Sequence, residues 1–183
     1  MEWFGLALAL AGGIGSAVVF NRMVALRQLA ANAWSDIDVL LKQRYDLIDN
    51  LVAAVKGYAA FEKSTLEEVA ALRSRAQAAS GLTQKGEAEK GLSEGLNRFF
   101  AVVENYPDLK AGQQFRDLQA QLIRQEDLLQ SARRYYNAVV RDHNTYLQSF
   151  PNNLLCQVLS YSPKEFFQVE EEARSAPKVR LDK

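Results

Sequence analysis

The sequence predicts an all-α protein, with an N-terminal transmembrane helix followed by an elongated up-down helical bundle. Three observations predict it. Residues 3–20 carry no charge. All four prolines (Pro107, Pro151, Pro163 and Pro177) lie beyond residue 106, so the first 106 residues can hold long uninterrupted helices. Apolar residues recur every three or four positions, without β-type alternation, in a chain rich in Ala, Leu, Gln, Glu, Lys and Arg.

The first element is the charge-free run. As a helix its 18 residues measure roughly 27 Å, close to the ~30 Å hydrocarbon core of a bilayer. A signal peptide fits less well. It needs a basic n-region, and here Glu2 stands there without Lys or Arg. Ala-Leu-Ala occurs at 7–9 and 9–11, but only after a very short apolar stretch, and no Cys follows to accept a lipid. A buried core helix also fits poorly, because a segment apolar on every side at the N-terminus has little protein around it. Trp3 and Phe4 suit one membrane interface; Asn21, Arg22 and Arg27 suit the other. The arginines favour a cytoplasmic soluble domain, with a one- or two-residue stub on the far side. Gly5, Ala9, Gly13 and Ala17 recur at spacing four, which lets two spans approach closely. The plainer reading, coincidence in an Ala/Gly-rich span, is favoured. The expected organisation is an anchor over 1–21, a helical bundle over 22–174 and a mobile tail over 175–183.

Composition narrows the function. The 22 basic and 22 acidic residues balance, so no basic surplus points to nucleic acid or an anionic lipid surface. A single cysteine, Cys156, excludes a disulfide within the chain and any multi-Cys metal site, and suits a reducing compartment.

The first soluble helix is expected to continue from the span to about residue 80. Its apolar face is Trp34, Ile37, Leu41, Tyr45, Ile48, Val52, Val55, Ala59, Leu66, Val69, Leu72 and Ala76. Glu62 interrupts that face and Gly57 weakens the helix by about 1 kcal/mol relative to Ala, so 57–62 is a candidate hinge. Ser80-Gly81 is the stop, with Gly81 a left-handed cap. Residues 81–95 read as a loop and weak helix start. A second helix over 88–105 presents Leu92, Leu96, Phe99, Phe100 and Val103, and Tyr106-Pro107 ends it. A third, over 110–149, presents Phe115, Leu118, Leu122, Leu129, Ala132, Tyr136, Val139/Val140, His143 and Leu147, with Phe150 just beyond. Pro151 opens a short helix over 151–159. Ser162-Pro163-Lys164-Glu165 reads as a capping box that starts a final helix to about 173. The helix lengths are unequal, so either the first helix bends or the bundle is staggered.

No catalytic, cofactor-binding or metal-ligating residue is expected, and no cofactor. His143 is the sole histidine and has no Glu-x-x-His partner, so it reads as a buried, hydrogen-bonded ring on the apolar seam. There is no Gly-x-Ser-x-Gly turn. Cys156 lies in Leu-Leu-Cys-Gln-Val-Leu, an apolar setting that disfavours a thiolate. Gly12-Gly13-Ile14-Gly15 lies inside the span and is no phosphate cradle. Polar residues on the seams need another reason. Arg44 falls between Leu41 and Ile48, Gln125 between Leu122 and Leu129, and Arg133 beside Ala132. Asp36, Asp38 and Asp46 share the first helix with Arg44, and Glu126 and Asp127 share the third with Arg133, so these residues read as interhelical ion pairs that set register. The alternative is a polar groove for a protein partner. Tyr135, Tyr136, Tyr146, Phe150, Tyr161, Phe166 and Phe167 read as core, or as an interface where several are exposed together.

Several blocks, taken in order, resemble one family. They are Ala33-Trp34-Ser35-Asp36-Ile37-Asp38-Val39, Arg44-Tyr45-Asp46-Leu47-Ile48, Asn50-Leu51-Val52 and Val55-Lys56-Gly57-Tyr58. Then come Glu104-Asn105-Tyr106-Pro107-Asp108-Leu109-Lys110-Ala111, Ala132-Arg133-Arg134 with Tyr136-Asn137, Asn144, and Phe150-Pro151. From about residue 22 to 167 the chain resembles the bacterial LemA family of membrane-anchored helical proteins. The resemblance implies a four-helix bundle and a single-pass membrane protein; it supplies no reaction. One relative type in that family serves magnetosome formation, and nothing in these residues carries that role over. Asp49 stands where the family pattern usually has proline, Asp127 where Asn is usual and His143 where Tyr is usual. Asp49 should leave the first helix smoother.

The function expected is a non-enzymatic interaction or scaffold protein. Its partners are the membrane, through residues 3–20, and an unidentified protein, with a homo-oligomer as a further option and no nucleic acid. A membrane-remodelling protein that self-assembles laterally is the alternative, and an enzyme with an unrecognised site the third.

Overall fold

The computed structural model describes residues 2–58 and 61–168, apart from the side chains at positions 2, 7–9 and 11. These residues form six helices and no strand: α1 (Glu2–Lys56), α2 (Lys63–Ala78), α3 (Leu82–Val103), α4 (Pro107–Ala111), α5 (Gln113–Gln148) and α6 (Asn152–Val158). The all-helical class agrees with the proline placement and the helical spacing of apolar residues.

With no proline before residue 107, α1 runs unbroken through Asp49 for 55 residues. It does not continue to residue 80. It ends at Lys56, where Gly57 follows and the Tyr58 and Phe61 amides donate to Val55 O and Tyr58 O, at 2.9 and 3.0 Å. The candidate hinge is therefore a full break between two helices. Ala59, assigned to the apolar face, lies outside the described residues.

The expected loop over 81–95 is also corrected. Only Ala79, Ser80 and Gly81 separate α2 from α3. Gly81 has φ +81° and ψ 156°, a conformation that L side chains avoid. It opens α3 rather than capping α2. The Lys85 ammonium instead donates to Ala76 O at 3.1 Å, satisfying one of the orphan carbonyls of α2. Glycines that looked like loop residues let α3 approach its neighbours. A Cβ at Gly86 would collide with the Gln168 carbonyl oxygen, and one at Gly95 with Leu72 Cδ1. Pro107 sits in the first turn of α4, a short helix that the periodicity did not reveal.

The final helix expected over 163–173 is absent from its described part, since residues 161–168 are not helical. Side chains of α5 hold this segment. Asn144 accepts from the Lys164 amide at 2.8 Å and donates to Lys164 O at 2.9 Å, and the Tyr136 hydroxyl donates to Glu165 O at 3.1 Å. Those bonds take up backbone groups that a helix would use. The remaining expected helix residues and the tail over 175–183 lie outside the described residues.

The described residues divide into two units, one within Met1–Leu41 and Glu126–Phe166, the other within Lys42–Gln125 and Phe167–Lys183. In the first, α1 and α5 run antiparallel, with the Trp34 and Tyr136 rings 5.6 Å apart and the Tyr146 hydroxyl donating to Val19 O at 3.4 Å. Met23, Leu26, Ala30, Ala33, Ile37 and Leu41 recur every three or four residues and are buried, as are Leu129, Val139, Val140 and Leu147. In the second, Tyr45, Ile48, Leu51 and Val55 of α1 are buried, as are Leu66 and Val69 of α2 and Leu92, Leu96 and Phe99 of α3. Phe61 fills the break after α1, 5.6 Å from the Phe99 ring and 5.0 Å from Tyr106.

Among the described residues, no helix is long and apolar enough to cross a membrane. Residues 3–20 are helical throughout, and the side chains at 7–9 and 11 lie outside the described residues. The transmembrane helix expected there is thus not met as a crossing segment.

Candidate functional site

One polar cluster is buried in the second unit. Arg44, 3% exposed, comes from the buried stripe of α1, and Glu89, fully buried, from the facing stripe of α3. Arg44 Nη1 pairs with Glu89 Oε2 at 2.8 Å, and Nη2 donates to Ser93 Oγ at 2.8 Å. The Tyr45 hydroxyl donates to Glu89 Oε1. Both carboxylate oxygens are thereby engaged, as a buried charge requires. The Arg73 guanidinium and Lys85 ammonium lie 6.0 and 5.9 Å from the Tyr45 ring centroid, and Arg73 also pairs with Asp49. The cluster ties three helices together through named polar atoms. Its bonds fix the register of α1 against α3.

Arg44 is thus where the seam pattern put it, and its ion pair joins two helices as expected, through Glu89, a residue the sequence did not single out. Asp36, Asp38 and Asp46 are exposed, and the buried carboxylate comes from the segment read as a loop. A signal existed: Glu89 shares a stripe with Leu92, Leu96 and Phe99, at offsets of three, seven and ten residues. Gln125 is buried and donates to Gln43 Oε1 at 3.3 Å, a polar bridge rather than an ion pair. Arg133 Nη1 lies 3.7 Å from Glu126 Oε1; the two residues are seven apart on α5, so this pair runs along one helix. Asp127 is exposed.

His143 is buried in the first unit, as expected. Its Nδ1 lies 3.2 Å from Asn144 Oδ1, while Nε2 is buried with no hydrogen-bond partner among the described residues. Cys156 is buried against Met23, sulfur to sulfur at 3.3 Å, and burial raises its thiol above the ordinary range, away from the reactive thiolate. Burial, and then the Glu165 charge, raises the Tyr136 phenol. Among the described residues, no group of three His, Cys, Asp or Glu could hold a metal ion. Of the singled-out aromatics, Tyr136 and Phe167 are core, Tyr146 and Tyr161 are half-buried, and Tyr135, Phe150 and Phe166 are exposed.

The other feature is apolar. Every described side chain from Trp3 to Val18 is exposed, including Phe4, Leu6, Leu10 and Ile14. A shallow groove of about 500 Å³ runs along Leu6, Leu10, Gly13, Ile14 and Ala17. Burial on α1 begins only at Val19 and Met23.

The model of the LemA family matches residues 33–181, well over half of the chain. The chain belongs to the LemA family. Among curated relatives of this LemA-family chain, "Magnetosome protein MamQ 2" of Paramagnetospirillum magneticum is 24% identical over 175 residues, covering 81% of this chain and 64% of the relative. "Magnetosome protein MamQ" of Magnetospirillum gryphiswaldense is 24% identical over 174 residues, with the same shares of 81% and 64%. "Protein LemA" of Metamycoplasma hominis is 28% identical over 156 residues, covering 82% of this chain and 69% of the relative. The chain therefore spans less than two thirds of the length of its magnetosome relatives.

Proposed function

We propose that this LemA-family chain is a non-enzymatic scaffold, held to a membrane through residues 3–20, that presents its helical body to a protein partner. One observation carries the reading: a helix apolar on every side exposes each described side chain from Trp3 to Val18. Exposed large apolar residues in such a run are costly in water and favourable in hydrocarbon. The one hydroxyl in the run, Ser16 Oγ, donates to Gly12 O at 2.9 Å, so it needs no water. Arg22 and Arg27 past the run favour the body on the cytoplasmic side. The relatives named as magnetosome proteins support a role at an organised cellular structure. The polar cluster around Arg44 is the scaffold's internal lock, and no reaction is assigned to it.

The test is extraction of membranes with alkaline carbonate. The intact chain should stay in the pellet; release with residues 3–20 still attached overturns the reading. Cross-linking in cells, followed by capture in detergent, should enrich a partner. A strictly monomeric chain with none refutes the scaffold. A second reading, lateral self-assembly, has one observation in its favour: open space surrounds Gly5, Gly12, Gly13 and Gly15. Overproduction should then alter membrane morphology, and unchanged membranes with diffuse single molecules dispose of it.

A further inference from the structure

A second apolar surface lies beside the end of the first. Because α5 runs antiparallel to α1, its last turns advance toward the apolar run, and the Tyr146 hydroxyl reaches Val19 O. Phe150 is four residues further on, just past the end of α5 at Gln148, and is 80% exposed. The chain then turns into α6, which packs on α1 through Cys156 and Met23. Met23 is three residues past Phe20, or about 4.5 Å along the axis. The headgroup layer is about 5–8 Å deep on each side of the hydrocarbon core. Anything level with Val19 to Met23 therefore sits in or next to that layer.

The residues suit that position. Leu154 and Val158, one turn apart on the side opposite Cys156, are exposed, Val158 at 81%, and Leu159 is exposed beside them. No Asp, Glu, Lys or Arg stands between Asp142 and Lys164, in a chain with 24% charged residues. The flanking Tyr146 and Tyr161 are half-buried, and Arg27 lies 5.8 Å from the Tyr161 ring centroid, an aromatic and cationic rim where water returns.

We infer that the α5–α6 turn and α6, through Phe150, Leu154, Val158 and Leu159, form a second membrane contact that lies in the interfacial layer of the bilayer. The inference rests on the reading that residues 3–20 enter that bilayer. It makes the attachment two-point: a helix along the normal and a short helix at the surface, which together fix the tilt and rotation of the unit they belong to.

The test uses the full chain with Cys156→Ala and one new cysteine at a time: Ile14→Cys, Val158→Cys, or Asp142→Cys as the exposed control. Each carries an environment-sensitive fluorophore and is reconstituted in phosphatidylcholine–phosphatidylglycerol vesicles with or without brominated acyl chains. Bromination should dim the labels at positions 14 and 158 roughly twofold and leave position 142 unchanged. Quenching at 14 but not 158 overturns the second contact and leaves the anchor standing. Quenching at 158 but not 14 supports the contact and overturns the anchor. Quenching at neither overturns both. A position-158 probe that stays bright in vesicles yet cross-links to a protein in cells overturns the contact in favour of protein docking. Because Cys156→Ala opens space beside Met23, the native chain is measured too. Amide exchange over 154–159 should slow roughly tenfold on vesicles, and unchanged exchange overturns the inference.

Discussion

Two stretches of one helix are equally helical and opposite in burial. In residues 3–20 of α1 the apolar residues occupy every side, and every described side chain from Trp3 to Val18 is exposed. In residues 23–55 they occupy one stripe, and Met23, Ile37, Leu41, Ile48, Leu51 and Val55 are buried. Hydrophobicity alone therefore does not make a core; its angular distribution decides whether other helices can cover it. The covered stripe even takes in a charge, Arg44, because Glu89, Tyr45 and Ser93 supply its partners. The uncovered run contains none.

The contrast can be broken most strongly from the covered side. Glu89→Ala strips Arg44 of its buried carboxylate and should cost about 3–5 kcal/mol in chemical unfolding, without loosening carbonate-resistant attachment. Replacing both partners, Arg44→Met with Glu89→Met, should recover most of that loss. On the uncovered side, Ile14→Arg should leave the unfolding midpoint of the body unchanged. It places a charge at the centre of the run, at a cost of about 2.5–3.5 kcal/mol of insertion, and should shift protein from pellet to supernatant.

Smaller effects sharpen the contrast. Asn144→Ala removes both bonds to Lys164 and should cost about 1–3 kcal/mol, with faster exchange at the Lys164 amide as its local signature. The two close glycines should separate. Gly86→Ala meets a backbone carbonyl and should cost about 1–3 kcal/mol. Gly95→Ala meets the movable end of Leu72 and should be near neutral, offset by up to about 1 kcal/mol of helix propensity. Tyr136 gives a pH signature. Its phenol is raised in the fold by burial and by Glu165, so its contribution is fully present below the unfolded tyrosine value of about 10. It is lost as pH rises through the higher folded value. Tyr136→Phe should flatten that alkaline decline in denaturant titrations from pH 8 to 11.

Much of the fold is legible in the chain because helical periodicity is a local signal. The α1 stripe, the α5 seam and the stop at Pro107 follow from spacing and from the chemistry of proline. Breaks are harder to read. Gly57 marks the end of α1, but the same weak residue is tolerated inside many helices, so only Phe61 filling the gap against Phe99 shows that the chain turns there. Gly86, Gly91 and Gly95 look like loop residues until the Leu72 side chain and the Gln168 carbonyl show what two of them make room for. The capping box at 162–165 is sound local chemistry, overridden by Asn144 and Tyr136, whose bonds to the backbone lie about twenty and twenty-nine residues away.

The sequence by itself determined the helical class, the uncharged run, the placement of Arg44 and His143 on apolar seams, and the family. These depend on residue types at fixed short spacings, which the backbone geometry of a helix converts directly into faces. Only the tertiary structure decided that Glu89 answers Arg44, that residues 161–168 are not helical, and that the uncharged α5–α6 turn lies level with the end of the apolar run. Those outcomes depend on which side chains meet across large gaps in the chain, and spacing along one helix holds no information about the distance to another.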